Sequence, residues 1–201
     1  MNVTVHKHIE KKLSKTKKGQ LLFLSDFRGI GTDAAVRQAL SRLCKEHKIK
    51  RIAHGIYLVP EIDPLLGEVM PSMENVAEFI AKKEHIRIKP VGSYALHKLG
   101  LTTQVPMKLV YLTDGPARLI RIGKATIRFK PTTPKKLALE GELSSLIVQA
   151  LEELGTENLE QSTIKRIKDL LKKEDQKILM KDIKLAPAPI SEFIYSLLKE
   201  K

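Results

Sequence analysis

Apolar residues recur at helical spacing in two segments of the first sixty residues. In the first segment, Val5, Ile9 and Leu13 repeat every four residues and predict a short amphipathic helix within residues 3–17. The second segment predicts a longer helix over residues 33–47. Its apolar stripe comprises Val36, Ala39, Leu40 and Leu43.

The segment between these helices contains turn and capping residues. Gly19 interrupts the first pattern, and Ser25 is a candidate N-cap for a short intermediate helix, because Asp26 suits the positive end of a helix. Two glycines within residues 28–31 predict a turn, since glycine readily adopts positive φ. Thr32 is then the predicted cap of the longer helix.

The polar face of the longer helix has side chains suited to DNA. Arginine can donate two hydrogen bonds to guanine, glutamine suits adenine, and small residues permit close approach to the major groove. The predicted outward positions are Ala34, Arg37, Gln38, Ser41, Arg42 and Lys45.

Two short strands across a turn at His54-Gly55 follow this helix. Their predicted apolar contacts are Ile49, Ile52, Ile56 and Leu58. Lys50, Arg51 and His54 are placed on the strand and tip, where basic groups can reach phosphates or the minor groove. Short helix, glycine turn, long helix and basic hairpin together predict a winged helix-turn-helix.

Each feature also has a simpler interpretation when taken alone. Arg37 and Arg42 can be ordinary solvated charges, and His54 can be only a turn residue. The histidines within residues 6–8 suit a surface stretch better than a metal site, and Cys44 suits a small core position. The DNA hypothesis therefore depends on the combination.

The rest of the chain predicts a mixed module followed by helices. Residues 61–71, with two prolines and a glycine, read as a connection. We expect helices at 72–84 and 93–99, strands at 86–91, 108–113, 117–122 and 125–130, and four helical patterns from residue 141 onward. The predicted class is α+β, with a winged helix-turn-helix domain at 1–62 and a small mixed α/β module with C-terminal helices at 63–201.

The predicted hairpin at 117–130 alternates apolar and basic residues. Leu119, Ile127 and Phe129 are assigned to a buried face, with Arg121, Arg128 and Lys130 on a wet, basic face.

Charge is distributed unevenly along the chain. The net charge is +13, and residues 1–60 hold thirteen Lys/Arg and four Asp/Glu, against twenty-three and nineteen in residues 61–201. A basic excess attracts polyanions, so the asymmetry predicts a nucleic-acid partner for the first segment, although ribosomal association or an anionic membrane surface would use it too.

Composition excludes several other classes. No run of about 18 apolar residues and no secretory signal pattern occurs, so we expect a cytoplasmic protein without membrane association. A single cysteine allows neither an internal disulfide nor a cysteine-pair zinc site, and no metal or cofactor is predicted.

Signals for catalysis are also weak. Gly92-Ser93 resembles the opening of a nucleotidyltransferase motif, but the following "TTQVP" lacks the paired carboxylates that would hold Mg²⁺, and Asp114 stands alone. We therefore expect no catalytic residue and no enzyme activity.

Residues 5–135 resemble the AbiEi-type antitoxins of type IV toxin-antitoxin systems. The resemblance is carried by "ALSRL" leading into "RIAHGIYLVP", and by the S-x-A-L-x-x-L-G-L segment followed by "VYLTDG" and a paired hairpin. It implies an antitoxin that represses its own promoter, at inverted repeats, and counteracts a nucleotidyltransferase toxin without forming a stable complex.

The resemblance also assigns residues to these roles. The implied DNA contacts are Thr32, Ala34, Arg37, Gln38, Ser41, Arg42, Lys50, Arg51 and His54. A basic hairpin surface is a candidate for the antitoxin function or for additional DNA contact. It comprises Arg118, Arg121, Arg128 and Lys130. Two alternatives stay open: a stand-alone winged-helix regulator whose second domain dimerises or senses a ligand, and an interaction module without DNA function.

Overall fold

A computed structural model describes residues 4–199, and their fold is α+β, as the sequence predicts. The first elements in the chain are α1 (Val5–Leu13), β1 (Leu21–Phe23), a 3₁₀ turn (Leu24–Phe27), α2 (Asp33–Lys45), β2 (Lys50–Ala53), β3 (Ile56–Leu58), β4 (Ile62–Asp63), β5 (Gly67–Glu68) and α3 (Met73–Glu84). They are followed by β6 (Ile88–Val91), α4 (Ser93–Lys98), β7 (Lys108–Thr113), β8 (Arg118–Ile122), β9 (Ala125–Pro131), α5 (Pro134–Leu137), α6 (Glu142–Leu154), α7 (Gln161–Leu171), α8 (Gln176–Leu185) and α9 (Ala188–Lys199).

The chain packs as two compact units. The first contains the described residues up to Phe79 together with Ile120–Gly123, and the second contains Ile80–Leu119 and the described residues from Lys124 onward. The predicted domain boundary after residue 62 stays a prediction; β4, β5 and the start of α3 lie in the first unit.

The first unit is built on a three-stranded antiparallel sheet of order β1-β3-β2. All three residues of the central strand β3 are buried. The helices α1 and α2 pack together, and their apolar stripes share one core with the sheet. Fully buried members such as Leu40 and Leu43 each contribute about 1.5–3 kcal/mol to folding. Periodicity predicted the core face of α2 correctly.

The predicted cap of α2 is confirmed, whereas the predicted cap at Ser25 is wrong. The Thr32 hydroxyl accepts a hydrogen bond from the Ala35 N–H at 3.3 Å. Ser25 lies inside the 3₁₀ turn, and the residue before the turn, Phe23, donates its N–H to the Asp26 carboxylate at 2.7 Å. Asp26, and not Ser25, therefore provides the side-chain hydrogen bond at the start of this turn.

Residues 61–71 form a small hairpin where the sequence predicts an irregular connection. The Asp63 carboxylate accepts hydrogen bonds from the N–H groups of Leu65 and Leu66 at 2.8 and 2.9 Å, and this turn lets β4 pair with β5. The side chains of Leu65 and Leu66 are 95% and 83% exposed.

A four-stranded sheet of order β6-β7-β9-β8 underlies the mixed module. β6 pairs antiparallel with β7, and β7 pairs parallel with β9. Burial of Ile127 and Phe129 is confirmed, but Leu119 is 53% exposed and does not belong to the buried face. The reason is geometric: residues two apart in a strand share a side, so Leu119 lies on the side of Arg121, and Ile120 provides the buried position.

The four predicted C-terminal helices are present as α6 to α9, and they share an apolar core with Ala95 and Leu99 at α4. The start of α6 is held by carboxylates from later in the chain. Glu174 accepts from the N–H groups of Leu143 and Ser144 at 2.8 and 3.0 Å, and the fully buried Asp182 accepts from Gly141 at 2.9 Å. A Cβ at Gly141 would lie 2.2 Å from the Ser144 hydroxyl, so this packing requires glycine. Among the helices of residues 4–199, none combines the length and apolarity needed to cross a membrane.

Candidate nucleic-acid interface

Helix α2 has one buried and one exposed face. Burial of its apolar stripe leaves exposed fractions of only 3% at Val36 and 0% at Leu40, and this packing fixes the orientation of the helix in the first unit. All the predicted outward positions are exposed: Ala34, Arg37, Gln38, Ser41, Arg42 and Lys45. The structure therefore brings five of the predicted DNA contacts onto one helix surface.

The arginines of this face are not neutralised within the described residues. Neither guanidinium, of Arg37 or of Arg42, forms a hydrogen bond or ion pair with any residue of 4–199. Nearby Lys48 differs, because Glu10 and Glu46 both pair with its ammonium. These hydrogen bonds, with that to Glu10 the strongest, raise the pKa of Lys48. The exposed face of α2 thus presents positive charge without a protein counter-ion.

A compact turn positions the start of α2 against α1. Gly29 adopts a φ of +80°, which favours glycine, and a Cβ at Gly31 would lie 2.6 Å from Cγ2 of Val5. Thr32, also a predicted DNA contact, is exposed and uses its hydroxyl to cap the helix. Its direct structural function is therefore the cap.

The hairpin of β2 and β3 exposes the other three predicted contacts, but each of them has a partner. Lys50 Nζ lies 2.5 Å from Glu68 Oε2, and Arg51 Nη2 lies 3.0 Å from His54 Nδ1. Gly55 turns the hairpin with a φ of +71°. These side chains are available to a phosphate only in competition with their present contacts.

Sequence reasoning missed Glu68 as a partner of Lys50. The signal was present in the stretch "DPLLG" at residues 63–67, because aspartate and proline before a glycine favour a turn between paired strands. Recognising that hairpin would have placed the carboxylate of Glu68 at the end of a strand rather than in an irregular connection.

Burial and neighbouring charge also shift two groups of this unit. Burial raises the pKa of the Tyr57 phenol, while the guanidinium groups of Arg51 and Arg37 act in the opposite direction. Burial likewise raises the pKa of the Cys44 thiol, while Arg51 acts in the opposite direction.

The four basic residues assigned to the second hairpin do not share one face. Arg118 pairs with Glu84 and is only half-exposed. Arg121 stands three residues further along β8, so the two arginines point to opposite sides of the strand. Arg128 and Lys130 are exposed and share one side of β9.

The part of the chain that the structure describes holds no cluster of metal-ligating side chains. No group of three or more His, Cys, Asp or Glu side chains there is placed to hold a metal ion. Asp114 accepts from the Arg87 N–H and Nε at 2.7 and 2.8 Å, and Arg87 holds the pKa of that carboxyl below its ordinary value. Asp114 therefore has a structural partner.

A protein-family model matches most of the chain. A family model described as a family of unknown function, DUF6088, matches residues 8–179. The chain belongs to the DUF6088 family. The match spans both units of this member, from within α1 to within α8. No curated protein matches it.

Proposed function

We propose that this DUF6088 member is a DNA-binding transcriptional regulator whose first unit acts as a winged helix, with α2 as the recognition helix. One observation carries the proposal. The exposed face of α2 holds two arginines without a counter-ion, beside Gln38 and the small residues Ala34 and Ser41.

The chemistry of this face suits base edges in the major groove. Arginine bonds guanine O6 and N7 bidentately, glutamine bonds adenine N6 and N7, and the groove, about 12 Å wide, admits an α-helix. Small side chains at Ala34 and Ser41 let the helix axis approach the bases.

The order of elements also supports this proposal. Helix, strand, short helical turn, helix and two-stranded hairpin follow one another in the first unit, and the first strand completes a three-stranded sheet. In a winged helix, the second long helix reads DNA and the hairpin lies beside it. Arg51 and His54 at the hairpin are then placed for phosphate contacts, which position the protein without reading sequence.

The resemblance to AbiEi-type antitoxins extends the proposal. By that resemblance, the protein represses its own promoter at inverted repeats in the cytoplasm and counteracts a nucleotidyltransferase toxin without a stable complex. No enzymatic step is part of this function. A stand-alone regulator whose second unit senses a ligand is the alternative, and a cavity in that unit, described below, favours it.

Two pairs of substitutions test the DNA-binding proposal. Arg37→Ala with Arg42→Ala removes the unpaired guanidiniums of α2. The matched control, Lys165→Ala with Lys177→Ala, removes two exposed cations from α7 and α8. Affinity for the duplex upstream of the protein's own gene is measured by fluorescence anisotropy.

We expect the α2 pair to lose about 2–6 kcal/mol of binding free energy, since a bidentate base contact contributes about 1–3 kcal/mol. The control pair is expected to bind almost as the parent does. A total loss below about 1 kcal/mol in the α2 pair would contradict the assignment of α2 as the recognition helix.

The antitoxin extension has a separate test. Co-expression of the full chain with the product of the neighbouring gene is expected to relieve growth inhibition, and to do so with the α2 pair substituted as well. If the parent chain binds DNA but does not relieve growth inhibition, the antitoxin function is contradicted. The stand-alone regulator is then the function that fits.

A further inference from the structure

The second unit contains a cavity of about 380 Å³ that the proposed DNA-binding function does not use. Strands β7 and β9 provide its floor. Its walls are formed by the start of α4, by helix α5 and by the second half of α6. A cavity of this size lies in the range typical of small-molecule sites, about 300–1,000 Å³.

Gln149 on α6 is the unusual group in this cavity. Its side chain is only 3% exposed, it lines the cavity, and it makes no side-chain hydrogen bond with any residue of 4–199. An amide has two N–H donors and an oxygen acceptor. The amide atoms of Gln149 are not among the fully buried polar atoms of the described residues, so they stay open to the cavity and can bond a polar ligand there.

Strand register places two unpaired lysines at opposite ends of the cavity floor. Lys108, Val110 and Leu112 alternate along β7 and face the cavity, and Leu112 is the register partner of Lys130 on β9. Lys108 and Lys130 form no ion pair within the described residues, so the floor is apolar at its centre and positive at two points.

Acidic groups line the opposite wall. Glu152 is bonded to Lys136 at 2.9 and 3.0 Å, and these two side chains largely neutralise each other. Glu153 forms no such pair and lies next to Gly92, where a Cβ would be 3.6 Å from Glu153 Oε2. A carboxylate at such a position can accept hydrogen bonds from sugar hydroxyls.

We propose that this cavity binds a nucleotide. The amide of Gln149 bonds the edge of the base above the apolar floor of Val110 and Leu112, Lys108 at one end of that floor binds the phosphate, and Glu153 accepts from the ribose. The site lies entirely within the second unit and stands independently of DNA binding by α2.

Calorimetric titration of the full chain with four nucleoside monophosphates tests this site. Adenosine without phosphate and inorganic phosphate without a nucleoside are the comparison ligands. We expect at least one monophosphate to bind, and to bind at least tenfold more tightly than either fragment, because the complete nucleotide uses both ends of the cavity. No binding by any monophosphate would overturn the proposal, and equal binding by inorganic phosphate would reduce the cavity to an anion site.

Substitutions then locate the bound nucleotide. Lys108→Ala and Gln149→Leu are each expected to weaken binding at least tenfold, whereas Lys124→Ala, an exposed lysine of the β8–β9 turn, is expected to leave it unchanged. Lys108 is exposed, so its substitution reports on the site even where Gln149→Leu impairs folding. Binding that survives Lys108→Ala but is lost with Arg37→Ala and Arg42→Ala would place the nucleotide on α2 and overturn the proposal. The DNA titration is separate, so either proposal can fail alone.

Discussion

Helices α2 and α7 look alike in sequence but differ in what their arginines contact. Both are amphipathic and basic, with one apolar stripe in a core. In α7, Arg166 Nε donates to the Leu99 carbonyl at 3.1 Å, and Lys172, just after the helix, lies 3.6 Å from Asp169. In α2, Arg37 and Arg42 contact no acceptor among the described residues. A basic face indicates a binding surface only where its charges are not used by the fold itself.

Several polar groups of the second unit stabilise its own fold, and substitution of Asp182 is expected to show this most strongly. Asp182→Ala leaves the N–H groups of Glu140 and Gly141 and the Ser144 hydroxyl without their acceptor in a buried site. We expect a loss of about 3 kcal/mol in the free energy of unfolding, measured by urea denaturation. Asp182→Asn is the control and should lose less, because an amide oxygen remains. The DNA affinity of folded Asp182→Ala should match that of the parent protein. A large loss of affinity would contradict a purely structural function for Asp182.

Arg166 should behave as the opposite of Arg37. Arg166→Ala removes a charged hydrogen bond to the carbonyl at the end of α4, and we expect about 1.5 kcal/mol of lost stability with unchanged DNA affinity. Arg37→Ala should show the reverse, with unchanged thermal stability and weaker DNA binding. Finding the same pattern for both variants would mean that the contrast between paired and unpaired arginines carries no functional information.

Substitutions of Thr32 distinguish a capping function of its side chain from a contact with a DNA base. Thr32→Ala removes the acceptor of the Ala35 N–H, and we expect about 1 kcal/mol of lost stability. Thr32→Ser retains the hydroxyl and should restore stability. DNA affinity of Thr32→Ser near that of the parent would support a cap that only positions α2, whereas a selective loss of affinity would add Thr32 to the contact surface.

The smallest effect is expected at Lys50, which is already paired. Lys50→Ala should weaken DNA binding by less than about 1 kcal/mol, since exposed ion pairs and their cations contribute little. Glu68→Gln releases the ammonium and should slightly strengthen binding and steepen its salt dependence. The prediction fails if Lys50→Ala matches the loss of the Arg37 and Arg42 pair.

The local sequence pattern was sufficient to predict the long helices and strands of this fold. The buried stripe and the cap of α2, strand β7, and helices α6 to α9 follow from periodicity and from single capping residues, which act within one or two turns. The outward positions of α2 followed from the same periodicity.

The shortest strands and helices contain too few residues to show a periodic pattern of apolar positions. β1 is three residues long and buried throughout, so it shows no alternation of apolar and polar positions, and α5 is a single turn. The predicted face of Leu119 is wrong because its two-residue spacing from Arg121 puts both side chains on the same, exposed side of β8.

Partners distant in sequence lay beyond the reach of sequence pattern. Glu68 lies 18 residues from Lys50, and Asp182 lies 41 from Gly141. Which arginines lack an acceptor, and that Gln149 faces a cavity without a partner, depend on such contacts. These are the observations on which both functional proposals stand.

The most direct measurement is a fluorescence-anisotropy titration of the native protein at two salt concentrations. The ligands are the duplex from upstream of its own gene and a scrambled duplex of the same composition. Sequence-specific recognition by α2 predicts tight binding to the upstream duplex that weakens with salt but keeps its preference, because phosphate contacts are screened while base contacts still discriminate. Equal and strongly salt-dependent binding to both duplexes would contradict it and would reduce the basic face to a general polyanion surface.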